Sequence, residues 1–473
     1  MTELLRYEKL AAELEGMIAG GVLRHGERLP SVRRLSTERR LSVSTVVQAL
    51  RQLEHRGLVE ARPQSGYFVR RALATRAEPA VRSTPEAAVP VDVTQRLVRI
   101  LQSGCKPLVA PLAAALPDPS LLPVAALHRL YASVARRHPQ LLAGGSHSNM
   151  DEPALVRQLV RRSLAWGGPL AGDEIVITNS CTEALCLCLR AVTKPGDTVA
   201  VESPAYYLML QLLETLGLKA LEIPTDPRTG LSVEALELAT RNGGVGACLL
   251  VPNASNPLGS VMPDEKKRLL ATLTAARGVA VIEDDIYGDL HFGQQRPWPI
   301  KAFDTTGNVM LCSSFSKSLT PALRIGFVAA GRYRAAIALQ KTITSGGTNP
   351  ITQHVLAEYL ESSAYERHLR SLRRSYERQV DSMQAAVSRY FPAATRLSQP
   401  QGGYVLWVEL PEELDATVLY EKAIAQNLAF VPGELFSASG MYRNCLRLNC
   451  GNPHTPEIED AVRRLGAIIS SGE

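Results

Sequence analysis

Residues 313–327 read SSFSKSLTPALRIGF. One lysine, Lys317, stands three residues after Ser314 and seven before Arg324, and the stretch continues the strand-like apolar run VMLCS. A primary amine at the end of a strand is a potential nucleophile, and a hydroxyl and a guanidinium fork close to it in sequence suit an anion. Taken alone, this spacing also describes an ordinary surface lysine with a nearby arginine. The segments around it decide its meaning.

Upstream, ITNSCTEALCLCLR passes from strand to helix. It offers the amides of Cys181 and Thr182 and the hydroxyls of Ser180 and Thr182 at a helix N-terminus, where a phosphate is favoured; Ser180 also has a plain capping role. ESPAYY places Tyr206 two residues after Pro204, with Tyr207 as its close competitor. VPNASNPLG contains an Asn256-Pro257 turn, and IEDDIYGDL puts Asp284 at a strand end with Tyr287 three residues on. In NCLRLNC, Arg447 stands between Leu446 and Leu448, and a guanidinium among strand-like apolar residues needs a partner. The runs EIVITNS, DTVAVES, GACLLVPN, VAVIEDD, VMLCSS and RIGFVAAG alternate with amphipathic helical stretches. That pattern predicts an α/β domain with a mainly parallel central sheet.

Together, and in this order, the segments closely resemble fold-type I pyridoxal-phosphate enzymes, the aspartate aminotransferase superfamily, from about Pro111 to the end. The resemblance implies pyridoxal 5'-phosphate as cofactor, in a Schiff base with Lys317. Its phosphate would be held by Ser180, Cys181, Thr182, Ser314 and Arg324. Tyr206 would stack on the pyridine ring, Asn256 and Tyr287 would donate to O3', and Asp284 would pair with the pyridine nitrogen. Arg447 would grip a substrate or effector carboxylate, and Gly402-Gly403-Tyr404 and Pro432-Gly433 fit loops of the smaller α+β subdomain. One segment departs from the pattern: between Leu142 and Arg157 the superfamily's tyrosine, which reaches the other subunit's cofactor, is missing, and His147 or Asn149 occupies the region.

The first part of the chain is of another kind. Leu10, Leu14, Met17 and Ile18 recur at helical spacing before Gly20-Gly21; Ser31 can cap a second helix through about Glu38. Ser42 can cap a third, with Val46, Leu50 and Leu53 as its buried stripe, ending at Gly57. Two β-like runs follow, Leu58 to Arg62 and Tyr67 to Arg70. Residues 1–73 hold 13 Lys and Arg against 8 acidic residues, whereas the whole chain has a formal net charge of +6, so most of the positive excess lies in this module. Such asymmetry fits a module that meets a polyanion.

This order of helix, helix-turn-helix and hairpin resembles the winged helix-turn-helix of GntR-type bacterial regulators. Ser42, Ser44, Thr45 and Gln48 of the third helix would reach base edges or phosphates in a major groove. Arg28 and Arg33 would contact phosphate or base, and the wing tip Gln64-Ser65-Gly66 would lie in the minor groove. Where that family often has an arginine in the first turn of the recognition helix, this chain has Val43 and Val47. The readout weight therefore shifts to hydroxyls, amides and the arginines outside the helix.

Residues 74–105, beginning ATRAEPAVRSTPEAAVPV, read as a solvated linker with one connecting helix between Asp92 and Gly104. The aminotransferase-like domain then spans 106–473, with a large subdomain at about 150–345 and a small one from 106–149 and 346–473. No apolar run approaches a membrane span, and the N-terminus shows no signal-peptide pattern, so a cytoplasmic protein is expected. Eight scattered cysteines form no CxxC pair and have no histidines at zinc spacing, which predicts reduced core thiols and no metal.

A GntR-type winged helix joined to an aminotransferase-like domain resembles the MocR subfamily of transcriptional regulators. That resemblance implies a head-to-tail homodimer that binds double-stranded promoter DNA and senses a small amino-compound effector, or the cofactor itself, through Lys317. The alternative is a catalytically active aminotransferase with a secondary DNA-binding segment.

Overall fold

The computed structural model describes residues 5–19, 22–23, 27–55, 58–62, 65–69, 76–103, 108–143, 151–168 and 170–471. The chain divides into two compact units, Met1–Thr75 and Arg76–Glu473.

In the first unit, three helices, α1 (Arg6–Ala19), α2 (Val32–Arg39) and α3 (Val43–His55), precede the antiparallel hairpin β1 (Val59–Arg62) and β2 (Gly66–Val69). Ser31 caps α2 by accepting the amide of Arg34 at 3.2 Å, and Arg40 ends that helix in the left-handed region at φ 50°. Leu10 and Leu14 of α1, Leu35 of α2, Val46, Leu50 and Leu53 of α3, and Val59 and Val69 of the hairpin close one small core. An isolated bridge between Arg28 and Phe68 ties the loop before α2 to the wing.

In the second unit, nine strands form the main sheet: β3 (Val89–Pro90), β4 (Ile175–Thr178), β5 (Thr198–Ser203), β6 (Lys219–Asp226), β7 (Gly230–Leu231), β8 (Val245–Leu250), β9 (Ala280–Asp284), β10 (Val309–Ser314) and β11 (Gly326–Ala329). Their order is β3-β6-β5-β8-β9-β10-β11-β4, with β7 paired to β6. The pairings from β6 through β10 are parallel, and β11 runs antiparallel between β10 and β4. All six strand-like runs of the sequence are strands of this mainly parallel sheet. A second sheet, ordered β12-β13-β15-β14, comprises β12 (Arg396–Leu397), β13 (Val405–Glu409), β14 (Val431–Pro432) and β15 (Cys445–Asn449) and is antiparallel throughout. The 28-residue helix Ser363–Tyr390 leads into it. Among the described residues no helix is long and apolar enough to cross a membrane.

The solvated linker expected at 74–105 is corrected for residues 76–94. They form a strap seated on both sheets. Arg76 reaches across the C-terminal end of helix Ser363–Tyr390 and donates to the carbonyls of Ser388 at 2.8 Å, Phe391 at 3.0 Å, Thr395 at 3.2 Å, Ala393 at 3.4 Å and also Pro392. The carbonyl of Ala77 accepts the amide of Leu397, extending the edge at β12. Arg82 donates to Glu409 at 3.1 Å and Asn444 at 2.7 Å and lies over the ring of Tyr442, 5.1 Å from its centroid. Further along, β3 pairs with β6, and the amides of Val93 and Thr94 both donate to Glu214 at 2.9 Å. The expected connecting helix is present as Thr94–Ser103. Composition disguised the strap because its anchors are arginines and backbone groups whose partners are far away in sequence.

A guanidinium that satisfies the last carbonyls of a helix also complements the negative end of its dipole. Arg76→Ala is expected to lower the unfolding free energy of the second unit by about 1–3 kcal/mol, measured as a denaturant midpoint. Arg76→Lys should recover only part of it, because a single ammonium cannot span the same carbonyl cluster.

Candidate cofactor and DNA-binding sites

The strand register gathers the cofactor candidates. Ser314, Gly326 and Thr178 lie level across β10, β11 and β4, and Cys312 of β10 is level with Asp284 of β9. Helix Cys181–Val192 starts just beyond β4, with Ser180 as its cap accepting the amide of Glu183 at 3.0 Å. That helix start presses on Gly326, where a Cβ would lie 2.6 Å from the Ser180 carbonyl carbon and 2.8 Å from the Cys181 nitrogen. Glycine is required there by close approach of backbone to backbone.

Around this junction lies a cavity of about 260 Å³ lined by Ser180, Cys181, Thr182, Tyr206, Asn256, Asp284, Tyr287, Ser314, Lys317 and Arg324, among others. The structure thus brings all ten sequence-predicted cofactor residues together. Tyr206, the residue before helix Tyr207–Thr215, faces the cavity; Tyr207 instead packs edge-on against Phe436 at 5.5 Å.

Asp284 is buried and accepts from the Cys181 thiol at 3.3 Å and the Ile286 amide at 3.0 Å. Burial dominates and pushes its pKa up to about 6. Lys317 donates to the carbonyl of Ala115 at 2.7 Å, and burial, with the nearby Arg447 charge, lowers its pKa to about 8. Arg447 is fully buried on β15, opposite Trp407 of β13 and Val431 of β14. It donates to the Ala113 carbonyl and, at 3.4 Å, to Asn256, while its Nε has no partner among the described residues. The Tyr404 hydroxyl also donates to Ala115, at 3.2 Å.

Sequence reasoning missed the segment around Ala113 and Ala115, whose carbonyls receive both cations, and the thiol of Cys181 as a donor to Asp284. Backbone acceptors leave no side-chain signature. The motif points to Cys181 through its amide alone. The altered segment bearing His147 and Asn149 lies outside the described residues.

The residues present fit pyridoxal phosphate by the chemistry of their donors. A buried carboxylate with a raised pKa suits a group that brings a cationic N–H. In the same cavity, the start of a twelve-residue helix, three hydroxyls and the guanidinium of Arg324 suit a dianion.

In the first unit, the DNA candidates Arg28, Arg33, Ser42, Ser44, Gln48, Ser65 and Gly66 are exposed, and Thr45 is half-buried. Ser42 accepts the Thr45 amide at 3.2 Å, and its hydroxyl lies 2.8 Å from that of Ser44 and 2.7 Å from that of Thr45. Gln64 lies outside the described residues.

Ionising Asp284 in the cofactor-free fold costs stability, because its pKa rises from 3.8 to about 6. The penalty is absent below about pH 4, grows as pH rises and is complete above the folded pKa. Asp284→Asn should therefore stabilise the cofactor-free protein at pH 7.5 by about 3 kcal/mol and leave it unchanged near pH 3.5, measured by denaturant unfolding.

Comparison with known proteins agrees with both halves. The gntR family of bacterial regulatory proteins matches residues 6–69, and aminotransferase class I and II matches residues 124–465. The chain is 40% identical to the HTH-type transcriptional regulator YjiR of Escherichia coli over 98% of this chain and 99% of that one. Among solved structures it is similar to the multiple substrate aminotransferase of Thermococcus profundus, with a TM-score of 0.74 and 28% identity over 80% of this chain and 94% of that one. It is also similar to the alpha-aminoadipate aminotransferase LysN of Thermus thermophilus, solved with N-(5'-phosphopyridoxyl)-L-leucine, with a TM-score of 0.71 and 28% identity over 80% and 94% of the two chains. Aminotransferases of this class depend on pyridoxal phosphate. The likeness to a regulator extends along the whole chain and the likeness to enzymes along the second unit, so this chain belongs to the MocR-like transcriptional regulators, in which a gntR DNA-binding domain is fused to an aminotransferase class I and II domain.

Proposed function

We propose that this regulator binds promoter DNA through residues 1–73 and senses an amino compound bearing a carboxylate, or pyridoxal phosphate itself, at the cavity around Lys317. The observation that carries the reading is that Lys317, Asp284 and the predicted phosphate donors line one cavity, with Arg447 donating to Asn256 on its wall.

The chemistry available with pyridoxal phosphate in place is that of an aldehyde open to primary amines and conjugated to an electron-withdrawing ring. Lys317, with its pKa near 8, would hold the cofactor through its amine and, as a group partly neutral near neutral pH, would be able to take up or release a proton at Nζ. Asp284 would pair with the ring nitrogen and favour its protonated form. Ser180, Thr182, Ser314, Arg324 and the amides of Cys181 and Thr182 would hold the phosphate, Tyr206 would orient the ring, and Asn256 and Tyr287 would donate to its phenolic oxygen. Arg447 exchanges the Ala113 carbonyl for a ligand carboxylate, a stronger charge-assisted partner.

A ligand on Arg447 acts on β15, and Arg82 of the strap holds Asn444 and Cys445 at the start of the same strand. A difference in ligand affinity between two seatings of the strap would be read as a difference in DNA affinity. In the first unit, Arg28 and Arg33 contact phosphate or base, Ser42, Ser44, Thr45 and Gln48 face the major groove, and Gln64, Ser65 and Gly66 form the wing tip. We place the chain in the cytoplasm as a head-to-tail homodimer with cofactor sites at the subunit interface. A second reading, turnover as an aminotransferase, is favoured by the pKa of Lys317, which suits a base working near neutral pH. The missing tyrosine between Leu142 and Arg157 speaks for slow release of keto acid.

The purified protein is expected to carry a visible absorbance band that Lys317→Ala abolishes without unfolding the chain. DNA affinity, measured by fluorescence anisotropy, should fall steeply with salt. It should weaken for all sequences in Arg33→Ala, whereas Gln48→Ala should alter preference among sites. Arg82→Ala should leave amino-acid-induced spectral changes in place and remove their effect on DNA affinity. Brisk multiple-turnover transamination, with DNA affinity indifferent to every amine and to pyridoxal phosphate, would overturn this reading in favour of the enzyme.

A further inference from the structure

Helix α3 buries one face and leaves the other without an obvious occupation. Val46, Ala49, Leu50 and Leu53 are fully buried in the core of the first unit. On the outer face of the first two turns stand Val43, Ser44, Val47 and Gln48. Val43 is 52% exposed and Val47 half-buried, and neither belongs to the hydrophobic cluster that forms the core of the unit. Two β-branched apolar side chains one turn apart therefore face outward from the end of α3 that carries the DNA-binding candidates.

The polar groups beside them are largely engaged with one another. The hydroxyls of Ser42, Ser44 and Thr45 lie within 2.8 Å of each other in pairs through Ser42, and Ser42 also accepts the Thr45 amide. The outward chemistry of the first two turns of α3 consists of the Val43 and Val47 methyls and the amide of Gln48, and Arg51 is exposed in the following turn. Valine has one strongly preferred χ1 rotamer in a helix, so its methyls are ordered before any contact is made.

Every base pair shows hydrogen-bonding groups in the major groove, but the only apolar group there is the C5-methyl of thymine. A glutamine amide matches the N6 and N7 pattern of adenine. Both preferences name the same base pair. The surplus of basic residues in residues 1–73 supplies the attraction to phosphate that brings the face to the duplex without adding sequence information.

We propose that the first two turns of α3 read A·T pairs in the major groove, Val43 and Val47 packing on thymine methyls and Gln48 pairing with adenine, and that these two turns do not read guanine. The proposal rests on the DNA-binding reading given above and adds the class of sequence recognised.

The test uses the full-length protein and a pool of random-sequence duplexes from which bound sequences are selected. The tightest duplex is then remade with each thymine in turn replaced by deoxyuridine, which removes only the methyl, and affinity is measured at fixed salt. Substitution at one or two positions of each half-site is expected to weaken binding by about three- to tenfold, the range for losing one buried methyl contact. Val43→Ala and Val47→Ala should each bind the thymine duplex more weakly and lose discrimination against the uracil duplex at one position. Their salt dependence should match wild type, because no charge is removed. Val43→Arg should shift selection toward guanine at that position. Both valines face outward, so unchanged thermal midpoints are expected to accompany these effects. Steep salt-dependent binding with G·C-rich selected sites, or equal affinity for thymine and uracil duplexes, would overturn this inference while leaving the DNA-binding reading standing. Absence of any salt-dependent duplex binding would overturn both.

Discussion

The cofactor site depends on one close approach of main chain to main chain: the turn at Ser180-Cys181 lies against Gly326 with no space for a Cβ between them. Because Ser314, Gly326 and Thr178 are level across three adjacent strands, this contact fixes the height of the helix start above the sheet. From that height the Cys181 thiol reaches Asp284 on β9, and the hydroxyls of Ser180, Thr182 and Ser314 open into the same cavity. Arg324, two residues before the glycine, adopts a left-handed backbone at φ 50° and lines the cavity too. The reversed strand β11, set between β10 and β4, thus helps gather residues scattered from 180 to 324 into a single donor set.

Electrostatically, the cavity is a place of incomplete neutralisation. Asp284 is short of positive partners, and burial raises its pKa; Lys317 and Arg447 are short of negative ones, and they settle on the carbonyls of Ala115 and Ala113. Each charged group is held by neutral dipoles, which orient it without matching its charge. Ligands that bring the missing charges have more to gain here than at a site already closed by ion pairs. The contrast lies nearby: Asp285, the next residue after Asp284, is closed by Arg296, which also binds Asp289 at 2.8 Å, and Asp289 takes Arg162 at 2.9 Å. That neighbouring cluster is a finished ionic network.

Where the candidate site is made of side chains at motif spacing, its grouping was legible in the sequence: Lys317, Asp284, Asn256, Tyr287 and Arg324 all stand on the cavity wall. The strand-like runs succeeded because each is a short apolar segment buried on both faces. Strand β6 escaped notice, since Lys219, Glu222 and Pro224 interrupt its apolar pattern; the carboxylate of Glu222 is accommodated by the hydroxyls of Ser203 and Ser439. Tyr206 and Tyr207 could be separated only by knowing where the following helix begins. The carbonyls of Ala113 and Ala115 could not be foreseen at all, because their identity as acceptors is independent of residue type.

The strap changes how the two units of such a chain can be considered separable. Composition draws the border near residue 105, but β3 covers the outer edge of the main sheet by pairing with Lys219 and Ala220 of β6. A second unit beginning at residue 106 would present that edge as a row of unpaired amides and carbonyls, a surface prone to recruiting strands from other molecules. The connector therefore also serves as a guard against association. In recombination between an aminotransferase and a DNA-binding module, the splice that preserves solubility lies before Arg76, on the DNA-binding side of the connector.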